Sequence, residues 1–136
     1  MSLIKILELP FLGDDRGGLV SIEAGKTIPF PVERIYYLFN TKSGIARGFH
    51  AHKKLQQLAV CVKGKCRMIL DDGIKREETW LDSPTKGLII DSSVWREMHD
   101  FTDDCVLLVL ASEYYDESDY IRDYNIYTEW VDDAKK

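Results

Sequence analysis

Long apolar runs, a leader sequence and an excess of positive charge are all missing from this chain. No apolar run approaches the roughly 20 residues that cross a bilayer, and the N-terminus lacks the basic-then-apolar layout of a signal peptide. We therefore expect no membrane span and a cytoplasmic protein. The 136 residues carry a net charge of −5, which argues against a general nucleic-acid binder but leaves room for a small anionic ligand.

Cysteine and histidine are both scarce, with three of each in the chain. The odd cysteine count, without Cys-x-x-Cys spacing or a secretion signal, predicts reduced core thiols at Cys61, Cys66 and Cys105. Cys61 and Cys66 should face each other across a hairpin that turns at Lys63 and Gly64. A disulfide between them is the less favoured alternative.

Repeats, low-complexity segments and linker-like stretches are also absent, so we expect one domain over residues 1–136. The chain instead has many short segments rich in β-branched and aromatic residues, separated by turn signals. That pattern predicts an all-β fold, either an antiparallel sandwich or a barrel. Jelly rolls of the cupin type belong to this group, and the pattern alone does not separate the topologies. From residue 114 onward acidic residues mix with tyrosines, which predicts turns, short helical pieces and a solvated surface tail.

Two of the three histidines, His50 and His52, lie one residue apart in a segment that has the composition of a strand. Residues i and i+2 of a strand point to the same face, so both imidazoles should project together. Such a pair, with basic residues nearby, indicates either a metal site or an acid–base site. A solvent-facing polar strand is the plainer alternative.

A metal site needs more ligands than His50 and His52 alone. A cupin-like site would add a carboxylate about four residues later, where this chain has Gln56, and a histidine on a later strand, where it has Arg96. Neither side chain is an anionic ligand, and a guanidinium stays protonated. His99 is the remaining imidazole, and it is equally well explained as a hydrogen-bonded structural residue. The sequence therefore argues against a metal.

An acid–base site asks for fewer residues. A histidine that titrates near neutrality can accept and return a proton, and a phenol can donate a hydrogen bond to a developing oxyanion. Either Tyr36 or Tyr37 must face the interior, because adjacent strand residues point to opposite faces. Positive charge for an anionic substrate is available at Arg16, Arg47 and Arg96. These residues fit proton abstraction next to a carbonyl.

The segment at residues 47–54, Arg-Gly-Phe-His-Ala-His-Lys-Lys, belongs to a longer resemblance. Together with residues 35–39, 70–73, 94–101 and 111–122, it resembles the dTDP-sugar 3,4-ketoisomerases, the WxcM-like cupins related to FdtA and QdtA. The resemblance runs from about residue 15 to residue 124. It implies a cupin-type jelly-roll β-barrel with a short irregular or helical C-terminal tail, working as a homodimer that is possibly strand-swapped.

The resemblance also implies a reaction. Its substrate is dTDP-4-keto-6-deoxy-D-glucose, a dTDP-linked 4-keto-6-deoxyhexose, and its product is a dTDP-3-keto-6-deoxyhexose. The 4-keto group acidifies the C3 hydrogen, so a base can remove that hydrogen to give an enediol. The resemblance implies no metal and no cofactor, and it places the enzyme before an aminotransferase that makes 3-amino-3,6-dideoxy sugars for surface glycans.

Residue roles follow from the same resemblance. His50 is the implied catalytic base, with His52 its partner in proton handling and Tyr36 the phenol of the site; either histidine can perform the first abstraction. Trp95 either packs in the core or lines a pocket where an aromatic base stacks. The implied substrate-binding residues are Arg16, Arg47, Arg96, Trp95 and Lys54.

The residue before Gly17 and the residue after Trp95 bear on the C4 configuration of the product. In the family that this chain resembles, members that form the galacto product have arginine at the first position and histidine at the second. Members that form the gluco product have tyrosine and arginine. This chain has Arg16 and Arg96, one residue from each set. The missing histidine favours the gluco product.

Two other functions remain as alternatives. The same base in a dTDP-sugar epimerase would return the proton to the opposite face of the same carbon. A non-catalytic sugar-nucleotide-binding protein would bind the ligand without exchanging any of its protons.

Overall fold

A computed structural model describes residues 1–135, so Lys136, the last residue of the predicted domain, lies outside the described residues. The elements in chain order are β1 (Lys5–Glu8), β2 (Phe11–Asp14), β3 (Gly17–Val20), β4 (Arg34–Leu38), β5 (Arg47–His52), β6 (Gln57–Lys63), β7 (Cys66–Asp71), β8 (Arg76–Leu81), β9 (Lys86–Ile90), β10 (Trp95–His99), β11 (Val106–Ala111), a 3-10 turn (Glu117–Asp119), β12 (Tyr120–Ile121) and α1 (Tyr124–Ala134). No helix within these residues is long and apolar enough to span a membrane.

The strands form two five-stranded antiparallel sheets that pack face to face. The first sheet has the order β1-β9-β6-β11-β4, and the second has the order β12-β5-β10-β7-β8. Strands β2 and β3 pair only with each other in this arrangement. The all-β prediction is confirmed, with the jelly-roll sheets of a cupin and one short helix at the C-terminus.

The core between the sheets follows from the two-residue period of their strands. Cys66, Met68 and Leu70 of β7 are buried, as their alternation predicts, and they meet Ala59 and Cys61 of β6 from the opposite sheet. Burying a side chain of leucine size contributes about 1.5–3 kcal/mol. The rest of the interior is apolar as well, except at the end where β5 and β10 supply polar residues.

The predicted hairpin around Lys63 and Gly64 is wrong. Strand β6 pairs with β9 and β11, whereas β7 pairs with β8 and β10, so this turn carries the chain from one sheet to the other. Gly64 has a φ of +68°, and a Cβ there would lie 2.7 Å from the Cα of Cys105. Both the backbone conformation and the close approach require glycine at this position.

The cysteines were nevertheless placed correctly as core thiols. Cys61, Cys66 and Cys105 are all free and buried, and the Sγ atoms of Cys61 and Cys66 lie 3.6 Å apart across the interior. Burial raises the pKa of the Cys105 thiol to about 12. The hydrogen bond with Cys66, and burial after it, raise the pKa of the Cys61 thiol as well. The thiols of Cys61 and Cys105 are therefore protonated packing groups at neutral pH.

The C-terminal segment is only partly the surface tail that its composition predicts. Residues Tyr120–Ile121 pair with β5 and extend the second sheet. Helix α1 then begins at an N-cap, where the Asp123 carboxylate accepts the Ile126 N–H at 3.0 Å. It buries Tyr127 and Val131 against Trp95 on the outer face of that sheet. The tail thus supports the back of the strands that carry the histidines.

Candidate active site

A β-bulge in β5 sets the position of the histidines. Arg96 of β10 pairs with His50, but its neighbour Glu97 pairs with Gly48, so Phe49 is an extra residue in the ladder. Gly48 has a φ of +94°, and a Cβ there would lie 3.2 Å from the carbonyl oxygen of Arg96. Phe49 also has a positive φ, of 55°. Bulges re-aim side chains beside functional sites, and this one turns His50 toward the interior.

The two histidines project together, as their spacing predicts. The ring centroids of His50 and His52 are 4.9 Å apart in an edge-to-face arrangement. The Nδ1 atom of His50 is 3.1 Å from the carbonyl oxygen of Gly48. Because a carbonyl only accepts, Nδ1 carries the hydrogen, and the neutral ring has its lone pair on Nε2.

His52 has the same tautomer for a different reason. Its Nδ1 lies 3.1 Å from the carboxylate of Asp119, which also accepts the backbone N–H of Lys54 at 2.8 Å. The imidazole is fully buried, and its Nε2 has no hydrogen-bond partner among the described residues. The ring of Tyr120 covers both histidines, with centroids 4.3 Å from His52 and 5.1 Å from His50.

A chain of hydrogen bonds forms the other wall of the site. Arg96 is 1% exposed; its guanidinium donates to the Gln57 side-chain oxygen and, at 2.9 Å, to the carbonyl of Val94. The Gln57 amide then donates to the phenol oxygen of Tyr36 at 2.8 Å. Tyr36 is therefore the tyrosine that faces the interior, whereas Tyr37 is 61% exposed.

The charge of Arg96 and the burial of the site together determine the protonation states. Burial, reinforced by the nearby guanidinium, lowers the pKa of His50 to about 4 and that of His52 to about 2. Burial raises the pKa of the Tyr36 phenol. At neutral pH the site therefore holds two neutral imidazoles, which can accept protons, and one phenol, which can donate a hydrogen bond.

An open cavity of about 300 Å³ gives access to His50 from the surface. A much smaller void lies below it, and the two share His50, Tyr36 and Met98 as lining residues. His52 does not line the cavity. The cavity is lined by Arg34, Tyr36, Leu38, Arg47, Gly48, His50, Met98, Tyr115, Tyr120 and Arg122.

Three arginines of the cavity differ in their existing partners. Arg122 lies 4.1 Å over the Tyr120 ring and is held by Glu117 through two hydrogen bonds of 2.9 Å. Arg34 lies over the rings of Tyr36 and Tyr115, and its buried Nε and one terminal nitrogen have no partner among the described residues. Arg47 is exposed at the rim. Among these three arginines, Arg34 is thus the one whose free donors are buried.

Not every residue that the sequence suggested lies at this cavity. Trp95 is 2% exposed on the outer face of β10, where it contacts Tyr127 of α1 and donates to Glu97. Lys54 lies on a separate surface depression with Tyr114 and Asp116. Neither side chain is brought to the histidines within the described chain.

Arg16 is also outside the cavity and exposed to solvent. It lies at the tip of the hairpin formed by β2 and β3, where its side chain is 89% exposed and pairs with Asp14. The cavity around His50 is not lined by this hairpin. The structure of one chain therefore brings together His50, His52, Tyr36, Arg47 and Arg96, but not Arg16.

The residues present do not fit a metal centre at the histidines. His99 points to the outer face of β10, where it pairs with Glu97 at 2.9 Å. Among residues 1–135, three cysteines form the one cluster with ligand-like spacing, and no third ligand group joins His50 and His52. Gln57 and Arg96 occupy the interior positions beside them, and a guanidinium cannot be a ligand.

Several site residues were missed by the sequence reasoning. Arg34 could have been found, because it lies two residues before Tyr36 and so shares its face of β4. Gln57 has the same relation to the buried Ala59 of β6. Asp119 and Tyr120 carried no local signal, since only their long-range pairing with β5 places them at the histidines.

Comparison with known proteins assigns the chain to a family. Residues 2–132 match the family described as FdtA: WxcM-like, C-terminal. The chain belongs to this family. A relative from Aneurinibacillus thermoaerophilus, named TDP-4-oxo-6-deoxy-alpha-D-glucose-3,4-oxoisomerase, is 54% identical over 127 residues, which are 93% of this chain and 91% of the relative.

Solved structures of the FdtA family agree with the fold. The 3,4-ketoisomerase QdtA from Thermoanaerobacterium thermosaccharolyticum, a mutant in complex with TDP-4-keto-6-deoxyglucose, has a TM-score of 0.94 at 41% identity and covers 98% of this chain and 96% of its own. The WlaRB TDP-quinovose 3,4-ketoisomerase from Campylobacter jejuni has a TM-score of 0.90 at 42% identity, covering 95% of this chain and 99% of its own.

The lowered pKa of His50 predicts how stability depends on pH. In the unfolded chain the imidazole binds a proton as the pH falls through about 6.5, whereas in the folded protein it does so only at about 4. Between these values the unfolded state binds more protons. As the pH is lowered through that range, the lowered pKa of His50 should therefore reduce the free energy of unfolding by about 3 kcal/mol. Above that range this stability is fully retained. Urea unfolding at a series of pH values measures this.

The matched variants are His50→Asn and His99→Asn, which make the same change inside the cavity and on the outer face. In His50→Asn the loss of unfolding free energy on acidification should be smaller by about 3 kcal/mol. In His99→Asn the loss should be as large as in the wild type. Identical pH dependence in the wild type and His50→Asn would show that His50 is not held neutral by its surroundings.

Proposed function

We propose that this member of the FdtA family is a sugar-nucleotide 3,4-ketoisomerase that converts dTDP-4-keto-6-deoxy-D-glucose into a dTDP-3-keto-6-deoxyhexose. The observation that carries the proposal is a neutral His50 at the floor of a 300 Å³ cavity, with its basic Nε2 free and the Tyr36 phenol beside it. The named activities of the relatives support the substrate. The product is suited to an aminotransferase that makes 3-amino-3,6-dideoxy sugars for surface glycans.

The first chemical step is removal of the C3 proton, which the neighbouring C4 ketone acidifies. Nε2 of His50 takes this proton, and the electron pair of the C3–H bond forms a C3–C4 double bond while the C4 oxygen becomes negatively charged. We assign the abstraction to His50 rather than His52, since only His50 lines the cavity. The Tyr36 phenol donates a hydrogen bond to the charged oxygen.

The second step moves the ketone. The imidazolium of His50 returns its proton to C4, which uses the electron pair of the C3–C4 double bond. The C3 hydroxyl proton passes to the C4 oxygen, which becomes a hydroxyl, as the C3 carbonyl forms. Atoms balance without any oxidant or metal. His52, with its Nδ1–H held by Asp119 at 3.1 Å, does not line the cavity, so its proposed part in proton handling is through the neighbouring His50 ring.

The arginines around the cavity provide the charge that a diphosphate needs. Arg34 has two buried nitrogens without partners, and Arg47 lies at the rim, so these two are the proposed anion-binding residues. Arg122 is already neutralised by Glu117 and is assigned to holding Tyr120 over the histidines. Arg96 binds no carboxylate of residues 1–135, and because it lies beside Tyr36 and His50, its charge would be at the floor, next to the reacting sugar.

We also propose that the active protein is a homodimer in which the hairpin of β2 and β3 is exchanged. Phe11, Leu12 and Leu19 are more than half exposed on this hairpin, and large apolar groups at such a site favour a protein partner. Carried onto a second copy, the hairpin would bring Arg16 to the other cavity. Such an exchange would explain how Arg16, which is exposed to solvent in its own chain, can bind the substrate of the partner.

The remaining properties follow from the same proposal. The whole chain serves as a single catalytic domain, and the reaction uses neither a metal nor a cofactor. The three buried free thiols suit a reducing compartment, so the proposed location is the cytoplasm, without a membrane or nucleic-acid partner.

Replacing His50 by asparagine tests the proposed function. His50→Asn should bind TDP and retain the fold, while conversion of dTDP-4-keto-6-deoxyglucose falls by about 100-fold or more because the base is gone. Carbon NMR of the sugar measures conversion, and the same spectrum gives the C4 configuration, for which Arg96 favours gluco. His99→Asn is the matched control and should keep wild-type activity. Full activity of His50→Asn would show that His50 is not the catalytic base.

A purified heterodimer tests the exchanged hairpin. One subunit carries Arg16→Ala and the other His50→Asn, with different affinity tags. If Arg16 acts in the partner's cavity, one of the two sites is intact and the heterodimer should show about half of the wild-type activity, although each parent dimer is impaired. If Arg16 acts within its own chain, both sites are defective, and the heterodimer will be as inactive as its parents.

A further inference from the structure

Gln57 is a buried residue without an assigned role in the chemistry. It is 2% exposed at the start of β6, where its backbone pairs with Ile90 on one side and Ala111 on the other. Its side chain lies between the guanidinium of Arg96 and the phenol of Tyr36. Polar side chains at such positions must satisfy their hydrogen bonds inside the protein.

The orientation of the Gln57 amide is fixed by the chemistry of Arg96. A guanidinium has only donors, so the atom that faces it must be the amide oxygen. The amide nitrogen then faces Tyr36, 2.8 Å from the phenol oxygen. Arg96 cannot turn away easily, because its other terminal nitrogen donates to the Val94 carbonyl at 2.9 Å.

This orientation determines where the phenol hydrogen of Tyr36 points. An amide NH2 group only donates, so the phenol oxygen accepts from Gln57 and its hydrogen must point elsewhere. The Arg34 guanidinium over the ring is not an acceptor either. Among the described residues the phenol hydrogen has no acceptor, and Tyr36 lines the cavity together with His50.

We propose that Gln57 is a positioning residue, which Arg96 locks in one orientation and which directs the Tyr36 O–H into the cavity toward the C4 oxygen of the substrate. The proposal rests on the ketoisomerase function proposed above. A hydrogen bond accepted from Gln57 also strengthens the phenol as a donor, because consecutive hydrogen bonds polarise one another. Gln57 therefore acts through Tyr36 and does not touch the reacting atoms.

The Gln57→Glu variant reverses this arrangement at nearly constant shape. The carboxylate keeps the contact with Arg96 but can only accept, so it takes the phenol hydrogen for itself. We expect kcat to fall on the order of 100-fold, as for the loss of one oxyanion donor, with KM changed less than about threefold because no substrate contact is removed. Gln56→Glu makes the same change one residue earlier, at a half-buried residue just before β6 that lines neither the cavity nor the void below it, and should leave both constants unchanged.

A double-mutant comparison separates positioning from a structural role. In a Tyr36→Phe background there is no phenol to direct, so Gln57→Glu should reduce kcat by a much smaller factor than in the wild type, leaving only the effect of the new carboxylate on Arg96 and the histidines. A role in holding the strands together would reduce kcat by the same factor in both backgrounds. That result, or a Gln57→Glu variant as active as Gln56→Glu, would overturn the proposal.

A measurement on the wild-type fold remains decisive if Gln57→Glu does not fold. The side-chain amide protons of Gln57 should shift upfield and exchange faster with water in Tyr36→Phe, because their acceptor is lost. Unchanged amide signals would contradict the orientation. If the wild type does not isomerise the substrate at all, the proposed function fails, while this amide measurement still reports on the contact between Gln57 and Tyr36.

Discussion

The site depends on one buried cation. Arg96 lies between the sheets, and the acceptors that it contacts, the Gln57 amide and the Val94 carbonyl, are neutral. Burial lowers the pKa of its guanidinium to about 10, so the charge persists at neutral pH. Burial in the first place, and this nearby charge in the second, lower the pKa of both His50 and His52. A neutral imidazole has the free lone pair that accepting a proton from carbon requires.

The fold supplies the rigid support that such a site needs. The bulge at Gly48 sets the direction of His50, and the short strand β12 sets Tyr120 and Asp119 against His52. Helix α1 covers the outer face of the same strands. Each contact joins segments that are distant in sequence, so the geometry of the site is a property of the assembled sheets rather than of any local motif.

The part of the site that could be predicted from the sequence depends on the alternation of side chains between the two faces of a strand. It placed His50 and His52 on one face, and it required one of two adjacent tyrosines to point inward. The same rule separates Trp95 from Arg96, which cannot both reach the cavity from adjacent positions of one strand. What alternation could not supply was the partner of each strand. The apparent hairpin between β6 and β7 crosses between sheets, and the acidic tail joins β5, because long-range pairing decided both.

In the proposed mechanism a neutral His50 removes the C3 proton of a 4-keto sugar. Incubation of dTDP-4-keto-6-deoxyglucose with the His50→Asn variant in D2O, followed by proton NMR of the C3 hydrogen, tests it most directly. We expect the variant to bind the sugar nucleotide and to leave the C3 hydrogen in place, whereas the wild type removes it. Loss of the C3 hydrogen at the wild-type rate in the variant would show that His50 is not the base.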